Sequence, residues 1–210
     1  MSMRVLLADD HQIVRQGIRA ILEREGFEVV GEGTNGREAV TLASKLNPDV
    51  VVLDLMMPLL NGMEAAREIL QHRPGARVVL LTMHTEEHQI VAALRAGIRG
   101  YVVKTQAAED LVYAIREVAR GEFYLSPGVS RVFVEGYLTQ AAPSSDPLAP
   151  RERQVLQLVA EGKTSKEIAS ALDLTVKTAE SYRTRIMEKL DIHDTAGLVR
   201  YAIRRGIIEP

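Results

Sequence analysis

The sequence predicts an α/β unit, a doubly wound five-stranded parallel sheet, followed by a small all-α unit of helix-turn-helix type. Three observations carry this reading. Up to about Leu125, short apolar runs alternate with helix-length segments, the pattern of a parallel sheet covered by helices on both faces. Residues 126–147 then lose periodicity and contain AAPSSDP, a linker composition. From Leu148 onward only helical spacing remains. The expected division is therefore 1–125, a linker over 126–147, and 148–210.

The elements follow in order. The apolar runs Val5–Ala8, Phe27–Val30, Val50–Leu53, Val78–Leu81 and Tyr101–Val103 are the expected strands. Between and after them, His11–Glu25, Asn35–Leu46, Gly62–His72, Glu86–Ala96 and Ala107–Arg120 are the expected helices. The last shows Leu111, Ala114, Ile115, Val118 and Ala119 at helical spacing. The apolar segment VSRVFVEGYL in the first half of the linker can form a packed helix. Beyond it, Arg151–Glu161, Ser165–Leu172, Val176–Leu190 and Thr195–Arg205 read as helices joined by short turns.

Composition removes several function classes. Of 210 residues, 46% are apolar and 26% charged, which excludes a wholly disordered or fibrous chain. There is no cysteine, so no disulfide framework, thiolate metal site or cysteine nucleophile exists. The start, MSMRVLLADD, runs into two aspartates and is no signal peptide. No apolar stretch approaches the roughly 18 residues of a membrane span, and a cytoplasmic protein without membrane contact is expected. The net charge of −2 argues against a polybasic chain, but it is unevenly spread. Residues 1–125 carry −3 and residues 148–210 carry +2, a weak basic bias in the helical half.

The polar residues at the strand ends carry the chemistry. Functional groups of open parallel sheets collect beyond the carboxyl ends of the strands. Here four runs end in polar residues: Asp9-Asp10, Asp54, Thr82 and Lys104. Three converging carboxylates repel one another and call for a compensating charge. A magnesium ion suits such an oxygen-only, partly filled site. Asp54 ends the most apolar run, and aspartate is a phosphoryl acceptor in other chemistries. Lys104 offers a point charge to phosphate oxygens, and the Thr82 hydroxyl a hydrogen bond.

These residues carry a resemblance. LLADDH, LDLMMPLLNG, LLTM and GYVVKT make residues 1–125 similar to the receiver domain of two-component response regulators, which implies a flavodoxin-like sheet. The resemblance implies Asp54 as phosphoacceptor, served by a sensor histidine kinase. It also implies magnesium held by Asp9, Asp10, Asp54 and the Met56 backbone carbonyl. Thr82 and Lys104 are then the phosphoryl-binding residues, and Tyr101 the switch aromatic that moves inward when Thr82 engages the phosphate. Lys104-Thr105 stands where many receivers have Lys-Pro. A non-proline cis bond costs about 3 kcal/mol, which puts the cis peptide often found there in doubt.

In the helical half, Thr175 is a candidate N-cap for Val176–Leu190. Ala179, Tyr182, Ile186 and Leu190 form its core face, and Lys177, Glu180, Ser181, Thr184 and Arg185 lie mostly opposite. Ile168, Ala169 and Leu172 precede it across the short turn Asp173-Leu174, a helix-turn-helix spacing. Lys177 sits in the first turn, where the helix dipole disfavours a cation by a few tenths of a kcal/mol, a placement that suits a phosphate contact.

LAPRERQVLQLVAEGKTSKEIASALDLTVKTAESYRTRIMEKL resembles the LuxR-type DNA-binding domain along almost its whole length. Its markers are Pro150-Arg151-Glu152, Gly162, the run Lys166 to Ala169, Val176-Lys177-Thr178, and Lys189-Leu190. Ala179 replaces a commoner valine and Tyr182 a frequent histidine. A receiver joined to this domain resembles the NarL/FixJ family of phosphorylation-switched, non-enzymatic transcription regulators. By position in that pattern, Glu180, Ser181 and Thr184 make base contacts, while Lys177, Thr178, Arg183 and Arg185 contact phosphates. The implied partner is double-stranded promoter DNA with an inverted repeat. The implied assembly is a homodimer when phosphorylated or DNA-bound, with contacts from Thr195–Arg205.

Competing signals point elsewhere. His84, Glu87 and His88 match the H-x-x-E-H pattern of inverted zinc peptidases, which makes a zinc hydrolase the alternative from another functional class. Its first histidine falls in the loop after a strand, and no third ligand follows. A magnesium-dependent phosphatase using Asp54 needs a further acid or base nearby, and Leu55 and Met56 supply none. Gly162-Lys163-Thr164 imitates the end of a P-loop, but Gln157 stands where that loop requires glycine.

Overall fold

The apolar runs of the first half pair as parallel strands. The computed structural model describes residues 2–83, 87–104, 108–130 and 147–208. β1 (Arg4–Ala8), β2 (Glu28–Gly33), β3 (Val50–Asp54), β4 (Arg77–Thr82), β5 (Gly100–Val103) and β6 (Tyr124–Leu125) form one sheet in the order β2-β1-β3-β4-β5-β6. The connecting helices are α1 (Gln12–Arg24), α2 (Gly36–Leu46), α3 (Gly62–His72), α4 (Glu87–Arg95) and α5 (Ala108–Arg120). The order is flavodoxin-like, with one strand more than the five expected. β6 pairs Tyr124 with Gly100 and Leu125 with Tyr101, and two residues are too few to display a period.

Both faces of the sheet are covered. Val5, Leu7, Val52 and Leu81 pack on one side with Leu22 of α1 and Ile115 of α5. The alternate residues Leu6, Val51, Leu53 and Leu80 are just as deeply buried, on the face that carries α2 and α3. Each such aliphatic side chain contributes about 1.5–3 kcal/mol by leaving water. Helix starts are chemically marked. Asn35 and Asn61 cap α2 and α3 by accepting the backbone N–H of Glu38 and Glu64, each at 2.9 Å. After β6, the Val103 N–H donates to Ser126 Oγ at 3.2 Å, and the Ser126 N–H donates to the Tyr101 carbonyl. Residues 126–130 are thus built onto the sheet edge, while 131–146 lie outside the described residues.

The second unit is a separate helical body of α6 (Pro150–Ala160), α7 (Ser165–Leu172), α8 (Val176–Leu190) and α9 (Thr195–Arg204). Leu156, Ile168, Leu172, Ala179, Ile186 and Leu198 lie in its core. Tyr182 and Leu190 are half-buried against it, so the expected core face of α8 is correct. Thr164 and Glu167 cap α7 reciprocally. Gly162-Lys163-Thr164 is the turn that delivers this cap, with Gly162 at φ +79°. Among the described residues, no helix is long and apolar enough to cross a membrane.

Candidate phosphoacceptor site and nucleic-acid interface

β1 and β3 are neighbours at the point where the strand order reverses, and there the carboxyl ends of strands open a crevice. The register pairs Ala8 with Leu53 and Thr82 with Val103. Asp9, Asp54, Thr82 and Lys104 therefore share one edge. Asp9 and Thr82 have no solvent exposure, and Asp54 retains 3%. Lys104 reaches between the acids, with Nζ 2.7 Å from Asp9 Oδ2 and 2.8 Å from Asp54 Oδ2. The Lys104 backbone N–H donates to the Thr82 carbonyl at 2.8 Å. Asp9 Oδ1 accepts the His11 N–H, while Asp9 Oδ2 has the ammonium charge beside it but no hydrogen bond of good geometry. Asp10 is exposed at the mouth, with Oδ1 2.9 Å from His11 Nδ1.

The charge balance sets the protonation. Burial pushes the Asp54 carboxyl up from its ordinary range to about 6, and Asp9 adds to the push. Lys104 and the Met56 N–H pull the other way. Burial also works against the Lys104 ammonium, but Asp54 and Asp9 outweigh it and raise its pKa. With its carboxyl held at about 6, Asp54 is mostly ionised at neutral pH, beside the Lys104 ammonium.

Close backbone packing fixes Asp54. The Gly62 N–H donates to the Leu55 carbonyl at 2.9 Å. A Cβ on Gly62 would lie 2.0 Å from the Asp54 carbonyl oxygen. Sequence reasoning did not single out Gly62 or His11, though both lie in segments it used, and Asn61-Gly62 is a turn signal. Tyr101 is already inward, 1% exposed, with its hydroxyl 3.5 Å from Gln89 Oε1 of α4. Any inward movement of this ring on phosphorylation would thus start from a buried position. Met56 is buried next to the site and its N–H faces Asp54. His84 and the Lys104–Thr105 peptide lie outside the described residues, as do the side chains of Glu87 and His88.

In the helical unit, Thr175 caps α8 by accepting the Thr178 N–H at 3.1 Å. Asp173, at φ +53°, ends α7 and turns the chain. Lys177, Glu180, Ser181, Thr184 and Arg185 are exposed, while Ala179 and Ile186 are buried on the opposite face. The Ser181 and Thr184 hydroxyls donate to the carbonyls of Lys177 and Glu180. Thr178 and Arg183 are half-buried: Thr178 Oγ1 meets Thr175 Oγ1 at 2.8 Å, and the Arg183 guanidinium donates to Thr195 Oγ1.

Comparison with known proteins agrees with both halves. Residues 5–116 match the response regulator receiver domain, and residues 146–202 match the bacterial regulatory proteins of the luxR family. The response regulator protein VraR of Staphylococcus aureus is 37% identical over 210 residues, covering all of both chains. A LuxR-family two-component response regulator from Aurantimonas sp. SI85-9A1 is 37% identical with a TM-score of 0.64, over 66% of this chain and 99% of that one. RcsB from Salmonella enterica serovar Typhimurium, bound to promoter rprA in the presence of a phosphomimetic, is 32% identical. It covers 96% of this chain and 98% of its own, with a TM-score of 0.65. The chain belongs to the response regulators that join a receiver domain to a LuxR-family DNA-binding domain, which are phosphorylation-regulated transcription factors rather than enzymes.

Proposed function

We propose that Asp54 is the phosphoacceptor and that its phosphorylation controls promoter binding by the helical unit. The observation that supports this most is the buried Asp54 carboxylate beside Asp9, with Lys104 2.8 Å away. A sensor histidine kinase supplies the phosphoryl group. An Asp54 oxygen forms the P–O bond as the P–N bond of the phosphohistidine breaks, and the imidazole leaves. Thr82 and Lys104 then hold the phosphoryl oxygens, and Tyr101 transmits the change toward α4 through Gln89.

A divalent cation fits the donor set. Asp9, Asp10, His11 and Asp54 each offer a ligand atom within 4.8 Å of the others. Magnesium would be held by Asp9, Asp10, Asp54 and the Met56 carbonyl. When bound, it would neutralise charge on the phosphoryl oxygens.

The domain limits that go with this reading are 1–125 for the receiver, 126–147 for the linker and 148–210 for the DNA-binding domain. α8 enters the major groove, where base edges are distinguishable. Glu180, Ser181 and Thr184 face bases, and Lys177, Thr178, Arg183 and Arg185 serve the backbone. Arg183 reaches a phosphate by giving up Thr195. Two copies, paired through α9, read an inverted repeat. A promoter-reading regulator works in the cytoplasm, where that DNA is.

Acetyl phosphate with magnesium tests the acceptor. Intact mass should rise by one phosphoryl group in the wild type and stay unchanged in Asp54→Asn. Labelling retained in Asp54→Asn removes the assignment.

A further inference from the structure

His11 stands at the N-cap of α1, a position that favours Asp, Asn, Ser or Thr because the side chain can accept a helix N–H. Its ring makes no such bond. The ring turns instead to the carboxylates, with Nδ1 2.9 Å from Asp10 Oδ1 and 3.6 Å from Asp9 Oδ1. Neither contact has hydrogen-bond geometry. The shorter one has the length of an octahedron edge, about 3 Å for bonds near 2.1 Å. Asp9, fully buried, belongs to the same cluster, and its Oδ2 is shared with the Lys104 ammonium 2.7 Å away.

We propose that the His11 imidazole is a nitrogen donor of the cation site and gives that site a preference for first-row transition ions such as cobalt(II) over magnesium. Magnesium is a hard ion that keeps oxygen ligands and its own waters. Imidazole suits the later divalent ions, whose affinity for mixed nitrogen and oxygen sites rises along the series. The inference rests on the reading that the carboxylate cluster holds a divalent cation. It adds a ligand and an ion preference that the carboxylates alone do not supply.

The test uses the full chain at about pH 8, since metal binding competes with protons for its ligands. Magnesium and cobalt(II) are titrated separately by calorimetry into wild type, His11→Ala and Asp54→Asn. His11 is exposed, so its truncation leaves the core intact. His11→Ala should weaken cobalt(II) binding about tenfold or more while changing magnesium binding less than about threefold. Proton NMR of the cobalt(II)-loaded wild type should show a strongly shifted exchangeable imidazole N–H that is missing in both variants. Two results overturn the inference while leaving the cation site standing: an unchanged cobalt(II) affinity in His11→Ala, or equal losses for both ions. If neither ion binds the wild type, the cation-site reading falls and this inference falls with it.

Discussion

Asp54→Asn should stabilise the receiver at neutral pH, even though it removes half of an ion pair. The folded state holds the Asp54 carboxyl at about 6 against an ordinary 3.8. That gap of about two units is worth about 3 kcal/mol at 1.36 kcal/mol per unit. The pKa is raised, so between about pH 4 and pH 6 the folded state binds more protons than the unfolded one. Stability then falls as pH rises through that window and stays lost above it. Asn does not ionise and escapes this loss. Lys104 is not stranded, because Asp9 Oδ2 remains 2.7 Å from its ammonium. Urea unfolding at pH 4, 5, 6 and 7.5 measures the difference, with the receiver read by pulsed hydrogen exchange on peptides covering β3 and β4. The variant's advantage should grow across that range to about 3 kcal/mol at most. A difference independent of pH, or a variant less stable at pH 7.5, would falsify the charge argument. The cost of holding the Asp54 charge away from water, the main cause of the shift, is what a divalent cation would offset.

The remaining predictions follow from single contacts. Gly62→Ala should destabilise the receiver by about 1–3 kcal/mol, measured by the same exchange, because the new Cβ meets the Asp54 carbonyl; an unchanged stability shows that the loop yields freely. Lys104→Ala should still accept some phosphoryl from acetyl phosphate yet lose the coupling to DNA binding. If its DNA affinity responds as the wild type's does, Lys104 is not part of the switch. Lys177→Ala should weaken binding to all DNA and lower the salt slope by about one unit. Glu180→Ala should relax preference at one base pair per half-site by about 1–3 kcal/mol. A matched panel of operator variants across a salt series separates the two, and exchanged behaviour refutes the docking of α8.

Continuous apolar runs made β1, β3 and β4 readable, because strands buried on both faces have no polar alternation to confuse. β2 was read as ending at Val30 but runs on to Gly33. A Cβ on Gly31 would lie 2.5 Å from Leu46 Cδ1. That glycine answers to a helix packed across the sheet, a contact that local pattern does not reveal. At the candidate site, Asp9, Asp54, Thr82 and Lys104 were readable because strand ends converge by topology. Gly62 and His11 depend on how two loops return toward the sheet, which no periodicity encodes. In the helical unit, caps and short turns placed every helix within a residue of its observed ends. Arg183 shows where face assignment stops, since its bond to Thr195 crosses between helices.

The central claim is that chemistry at Asp54 controls DNA binding, and one affinity measurement reaches it most directly. Genomic DNA selection with the phosphorylated wild type supplies an operator. Its affinity is then measured for wild type and Asp54→Asn, each with magnesium and with or without acetyl phosphate. The account predicts tighter binding by wild type when acetyl phosphate is present and no response from Asp54→Asn. A wild type whose affinity ignores acetyl phosphate while its mass records the phosphoryl group would contradict it, as would an Asp54→Asn variant that still responds.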